Sequence, residues 1–75
     1  MEILLNGKSK KIHSKDILSL VEELELGLEG LVILHNEQVI RKNDYEKINI
    51  LENDKIELLN FVSGGKEKQL IVKNE

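Results

Sequence analysis

The sequence predicts an α+β domain in which one helix packs across one face of a mixed sheet of four or five strands. Three observations carry that prediction. Short apolar segments alternate with turn residues along most of the chain, and a single stretch near residue 20 shows a helical stripe. The 75 residues are 40% apolar, almost wholly Leu, Ile and Val, with one Phe, one Tyr and no Trp. That is material for one modest core, and a lone hairpin or helix of this length would be marginal, so sheet and helix must cover each other.

Each element can be justified in order. Glu2-Ile3-Leu4-Leu5 is apolar and is followed by Asn6-Gly7, the strongest short-range hairpin signal, so Lys8 to His13 is expected to return as a polar second strand with Ile12 its core residue. Ser14 and Asp16 are candidate N-caps. Ile17, Leu18, Leu20, Val21 and Leu24 then form one stripe, with Ser19, Glu22, Glu23 and Glu25 on the wet side. Gly27 is the expected C′ residue. Leu31 to Leu34 reads as a strand, Asn36-Glu37-Gln38 as a turn and Val39-Ile40 as a brief edge strand. Arg41 to Asn49 is polar around a lone Tyr45 and is expected to be irregular or a single helical turn. Glu52-Asn53-Asp54 turns the chain into the strongest strand, Lys55 to Val62. That last strand is expected at the centre, parallel to the first, with the helix in the crossover. This is the β-grasp architecture of ubiquitin-like domains.

Composition excludes several classes of function. There is no cysteine, so neither a disulfide framework, a cysteine zinc site nor thiol chemistry belongs to this chain. No leader-like segment and no apolar run near the ~20 residues of a bilayer span occurs, so a soluble cytoplasmic protein without a membrane partner is expected. The net charge is −3, but residues 1–65 hold 8 Lys+Arg against 12 Asp+Glu, a balance of −4, while the last ten hold 3 Lys against 2 Glu, a balance of +1. An acidic body argues against nucleic acid as a partner, which needs a basic stripe, and favours a protein with a basic docking surface. His13 and His35 have no evident carboxylate partner and read as ordinary residues, so no metal site is expected. Glu22, Glu23, Glu25 and Glu29 read as a solvated helix face. No Ser/His/Asp or Cys/His set is present, so no catalytic residue is assigned.

Two features remain. Period-2 alternation sends Ile56 and Leu58 toward the helix, which turns Leu59 and Phe61 to the opposite face as a partner-docking patch. A tail strand or a second copy would also cover them. Gly64-Gly65 then stands between apolar runs in "LLNFVSGGKEKQLIV". Local statistics favour a hairpin here, with "SGGKEK" as turn and "QLIVK" as returning strand.

Over residues 1–65 the chain resembles the sulfur carriers of the thiamine pathway, the ThiS family. The resemblance rests on "MEILLNGK", "DILSLVEEL", "VILHNEQVIRKNDY" and "ENDKIELLNFVSGG", which occur in the family's order with few gaps. It implies a protein cosubstrate and not an enzyme. A ubiquitin-activating-like adenylyltransferase uses ATP and magnesium to adenylate the last glycine. Sulfur from a donor such as cysteine desulfurase then gives a thiocarboxylate, which thiazole synthase consumes. On this reading Gly65 carries sulfur, and Ser63 and Gly64 form the thin flexible arm, glycine having no Cβ to obstruct a narrow tunnel. In the family the double glycine ends the chain, whereas here Lys66 to Glu75 follow. Residues 66–75 are therefore expected to be an extension that is removed or disordered. The rival expectation is a ubiquitin-like interaction module, or a carrier for another pathway such as molybdopterin, that keeps the tail and uses Gly64-Gly65 as a turn.

Overall fold

The structure is a computed structural model that describes the backbone of residues 1–62 and 66–69 and the side chains of residues 1–60. Its elements are β1 (Glu2–Leu5), β2 (Lys8–Lys11), α1 (Ile17–Glu23), β3 (Leu31–His35), β4 (Gln38–Ile40), a 3-10 helix (Lys42–Lys47), β5 (Lys55–Val62) and β6 (Lys66–Gln69). The sheet runs β2-β1-β5-β3-β4, with β6 also paired to β5. β1 and β5 are parallel, Leu4 lying opposite Lys55 and Leu5 opposite Ile56, and the other pairings are antiparallel. The expected β-grasp arrangement, with the last long strand at the centre, is what forms.

Both tight hairpins follow from residues that tolerate a left-handed backbone. Asn6 (φ 49°) and Gly7 (φ 82°) join β1 to β2, and Asn36 (φ 50°) and Glu37 (φ 73°) join β3 to β4. Gln38, expected in the second turn, is the first residue of β4.

Asp16 caps the helix: its backbone is extended and its carboxylate accepts the Ser19 N–H at 2.7 Å. At the other end the expectation of a Gly27 cap fails. The helix stops at Glu23, and Glu25, not Gly27, takes the left-handed conformation (φ 54°). Glu25 N–H donates to Glu22 C=O at 3.1 Å and Leu26 N–H to Val21 C=O at 3.0 Å, the paired bonds of a Schellman cap. Leu26 packs on the core, and this apolar contact fixes where the helix turns despite the cost of a positive φ at Glu25.

The core lies between α1 and one sheet face. Ile3, Leu5, Ile12, Ile17, Leu20, Val21, Ile33, Ile40, Ile50, Ile56 and Leu58 are buried, and Tyr45 is inserted from the 3-10 helix. Burial pushes the Tyr45 phenol above its usual range. Among the described residues no buried polar side-chain atom lacks a hydrogen-bond partner.

The expected return strand "QLIVK" is also corrected. Pairing with β5 begins at Lys66 and runs to Gln69, so Lys66, Glu67 and Lys68 belong to a strand and not to the turn. Beyond the end of β1, β5 still has a free edge, and antiparallel pairing there starts as soon as the chain can reverse. Leu70 to Val72 lie outside the described residues.

Candidate functional site

β5 is the element from which the glycine pair departs, and three neighbours position it. β3 covers one edge, from Ile56 opposite His35 to Asn60 opposite Leu31. On the other edge β1 reaches only Ile56. The next step is closed by the hairpin turn: Asn6 N–H donates to Ile56 C=O at 2.9 Å, and Asn6 Oδ1 accepts the Leu58 N–H at 2.8 Å. From Leu59 onward the same edge carries β6, with Leu59 opposite Gln69, Asn60 opposite Lys68, Phe61 opposite Glu67 and Val62 opposite Lys66. Asn6 was legible only as a turn residue; its second role, holding the β5 edge, depends on a contact 52 residues away in sequence.

Of the residues expected to act, Ser63, Gly64 and Gly65 lie outside the described residues. Leu59 is half-buried, whereas its neighbour Leu58 is fully buried in the core. Leu59 pairs with Val32, and Leu34 pairs with Val39, which is 69% exposed. By alternation these four share the sheet face away from α1 with Leu4 of β1. Phe61 falls in the same phase by its position in β5, and its side chain lies outside the described ones.

At the opposite end of β5, Asp54 organises a polar knot. Its Oδ2 accepts the His35 Nε2–H at 2.7 Å and the Leu51 N–H at 2.9 Å, and its Oδ1 accepts from Asn36 Nδ2 at 3.2 Å. Asn36 Oδ1 in turn accepts the Lys55 N–H at 2.9 Å. Burial alone would raise the Asp54 carboxyl, but the bonds from Leu51, His35 and Asn36 outweigh it and hold it below the ordinary carboxylate range. His35 therefore does have a carboxylate partner, contrary to expectation, because the β3–β4 turn and the loop before β5 meet there.

Glu23 also departs from its expected place on a merely solvated face. Its carboxylate accepts from the His13 N–H, the Ser14 N–H and the Ser14 hydroxyl, tying the β2–α1 connection to the helix C-terminus. Partial burial pushes its carboxyl up; the Ser14 and His13 bonds more than reverse this and leave it lowered. Of the residues lining the open cleft beside it, Ser14, Asp16 and Glu23 are engaged in these bonds and in the helix cap. Among the described residues no group of His, Cys, Asp or Glu could hold a metal ion, and no helix is long and apolar enough to cross a membrane.

The comparisons with known proteins agree with this geometry. The sequence profile of the ThiS family matches residues 3–65. Among solved structures, the crystal structure of a thiamine biosynthesis protein (ThiS) from Geobacter metallireducens superposes with a TM-score of 0.76 at 20% identity, covering 87% of this chain and 100% of that one. No curated protein matches by sequence.

Proposed function

Because the chain belongs to the ThiS family, we propose that it is a sulfur carrier of thiamine biosynthesis, a protein cosubstrate that bears sulfur as a thiocarboxylate on Gly65. The observation that carries this reading is the extent of the family match, which begins in β1 and ends on the second glycine of the pair. In the full chain the Gly65 carbonyl is an amide to Lys66. Hydrolysis of that amide adds water across it, leaving a carboxylate on Gly65 and an amine on Lys66. A ubiquitin-activating-like adenylyltransferase, supplying magnesium and ATP, converts the carboxylate to an acyl-adenylate. The persulfide sulfur of a cysteine desulfurase or similar donor attacks the acyl-adenylate and expels AMP. A thiol reductant then splits the resulting acyl disulfide into the Gly65 thiocarboxylate and the donor's thiol, and thiazole synthase removes the sulfur in the cytoplasm. Activation and transfer are electrostatic and nucleophilic tasks for those partners. The chain contributes a thin arm on a rigid strand and a docking face around Leu59 and Phe61.

The test is intact mass. A chain ending at Gly65, given the activating enzyme, magnesium-ATP, cysteine, a desulfurase and a thiol reductant, is expected to gain the mass of one oxygen-for-sulfur exchange. The 75-residue chain is expected to stay unchanged. A chain ending at Gly65 that also stays unchanged defeats the reading. Leu59→Ala with Phe61→Ala is expected to weaken binding to the activating enzyme by tenfold or more, on the order of 1–2 kcal/mol, without unfolding the protein.

A second reading is favoured by β6. Residues 66–69 pair with β5 and so belong to the sheet, as in an interaction module that keeps its tail. Mass of the protein from its native cell separates the two: a chain ending at Gly65 supports the carrier, and only full-length chains support the module.

A further inference from the structure

We propose that β6 is a latch: residues 66–69 occupy the β5 edge in the full-length chain, and this pairing must open before a peptidase can take the Gly65–Lys66 bond. The inference rests on the carrier reading, since it concerns how the sulfur-accepting end is exposed.

Geometry supplies the argument. Val62 and Lys66 are register partners, so their Cα atoms sit at antiparallel pair spacing, about 4.5–5.5 Å. Peptidases that bind their substrates as extended strands across the scissile bond need that same segment straight. Four residues at about 3.3 Å each would carry Lys66 roughly 13 Å from Val62. The two distances are incompatible. The segment cannot be paired through Val62–Lys66 and lie extended in a cleft at once, so β6 has to leave β5 first.

The latch is also built to be released. β1 and the Asn6 side chain hold the β5 edge only as far as Leu58, and β6 begins where they stop. Its residues are Lys, Glu, Lys and Gln, types with little strand propensity, in a pairing of four residues. Main-chain bonds dominate such a pairing. It can therefore open without unfolding the body, whose core among the described residues takes Ile56 and Leu58 from this strand.

The chain has no cysteine, so a single engineered disulfide can lock the latch. The register partners Asn60 and Lys68 are changed together, Asn60→Cys with Lys68→Cys. Trypsin is the probe, since it cuts after Lys66 within β6. Cleavage there is followed by mass after final reduction, with cuts in the body as the internal control. Oxidised protein is expected to be cut after Lys66 at least about tenfold more slowly than reduced protein, because cleavage proceeds through the open form. Equal rates in the oxidised and reduced states overturn the latch. Amide hydrogen exchange of the unaltered chain gives an answer free of the disulfide. The β5 amides facing β6 are expected to be protected, and to lose protection in a chain ending at Gly65; unprotected amides in the full chain overturn the proposal. The carrier reading fails separately: a chain ending at Gly65 that cannot be activated ends that reading while leaving both latch measurements as they stand.

Discussion

The two ends of β5 are held in different ways. Where the strand begins, Asp54 gathers bonds from His35, Asn36 and Leu51; Leu4 N–H donates to Asp54 C=O at 2.9 Å, and Asn36 N–H to Lys55 C=O at 2.7 Å. The β3–β4 turn and the loop at Leu51 converge there on one buried carboxylate, and β1 adds a bond to the main chain of the same residue. Where the strand ends, the β1 side carries, among the described residues, only the four polar residues of β6. One strand is thus fastened at its root and loosely covered at its tip. On the proposed carrier reading, which puts the working group at the end of this strand, the difference separates the rigid handle from the group it presents.

The largest effect is expected at the root. Asp54→Ala strips the acceptor from His35, from the Leu51 N–H and from Asn36 together, and is expected to cost about 3 kcal/mol of stability by urea unfolding. Asp54→Asn, which keeps one carbonyl acceptor, should recover part of that. A cost below about 1 kcal/mol for Asp54→Ala would remove the contrast between the two ends, because the knot would then anchor nothing.

Acid should act on the same end. Asp54 and Glu23 both have carboxyls held below their ordinary range in the folded protein. A lowered folded value means the unfolded chain takes up protons first as pH falls. Their contribution is therefore complete above about pH 5 and lost progressively as pH drops below about 4, through the folded values. Urea midpoints measured from pH 7 to pH 3 should be level and then fall, and the fall should be shallower in Asp54→Ala. An equal fall in that variant would place the acid sensitivity elsewhere, with Glu23 the next group to change.

The fold was largely legible because the helical stripe and the two-residue Asn-Gly turn are local signals that tertiary contacts reinforce. Ile17, Leu20 and Val21 are buried as their spacing requires, and Asp16 caps as its position suggests. The misreadings have a common cause. Gly27 was the better C′ residue by type, but the Leu26 contact with the core set the helix end at Glu25. The partner of His35 is not legible in the sequence because Asp54 is 19 residues away, and Glu23 reads as solvated because the bend that brings Ser14 to it is not encoded in periodicity. Each depends on a contact between segments, which residue type and spacing do not specify. The glycine pair stands at the end of the family match, and the strand that follows it starts at Lys66, three positions before the expected Gln69.

A middle-sized effect is expected at Asn6, which sits between the two ends. Asn6→Ala removes the acceptor of the Leu58 N–H and places a residue with a poorer left-handed preference at φ 49°. A loss of about 1–2 kcal/mol is expected. Asn6→Asp, which retains both an acceptor and tolerance of that backbone, should lose less. If the two variants are equally destabilised, the bond to Leu58 is not what holds the β5 edge.

The smallest effect is expected at the tip, and its smallness is what gives it meaning. Ending the chain at Gly65 removes β6 but none of the core residues among the described ones, which in β5 are Ile56 and Leu58. The lost pairing is short, and ordering those residues costs conformational entropy that offsets most of the gain from their main-chain bonds. Unfolding free energy is therefore expected to change by no more than about 0.5 kcal/mol, while exchange of the β5 amides past Leu58 rises. A loss as large as that of Asp54→Ala would mean that the tail is part of the folded body. The tip would then be as firmly fastened as the root, and removing residues 66–75 would endanger the fold that, on the proposed carrier reading, presents Gly65.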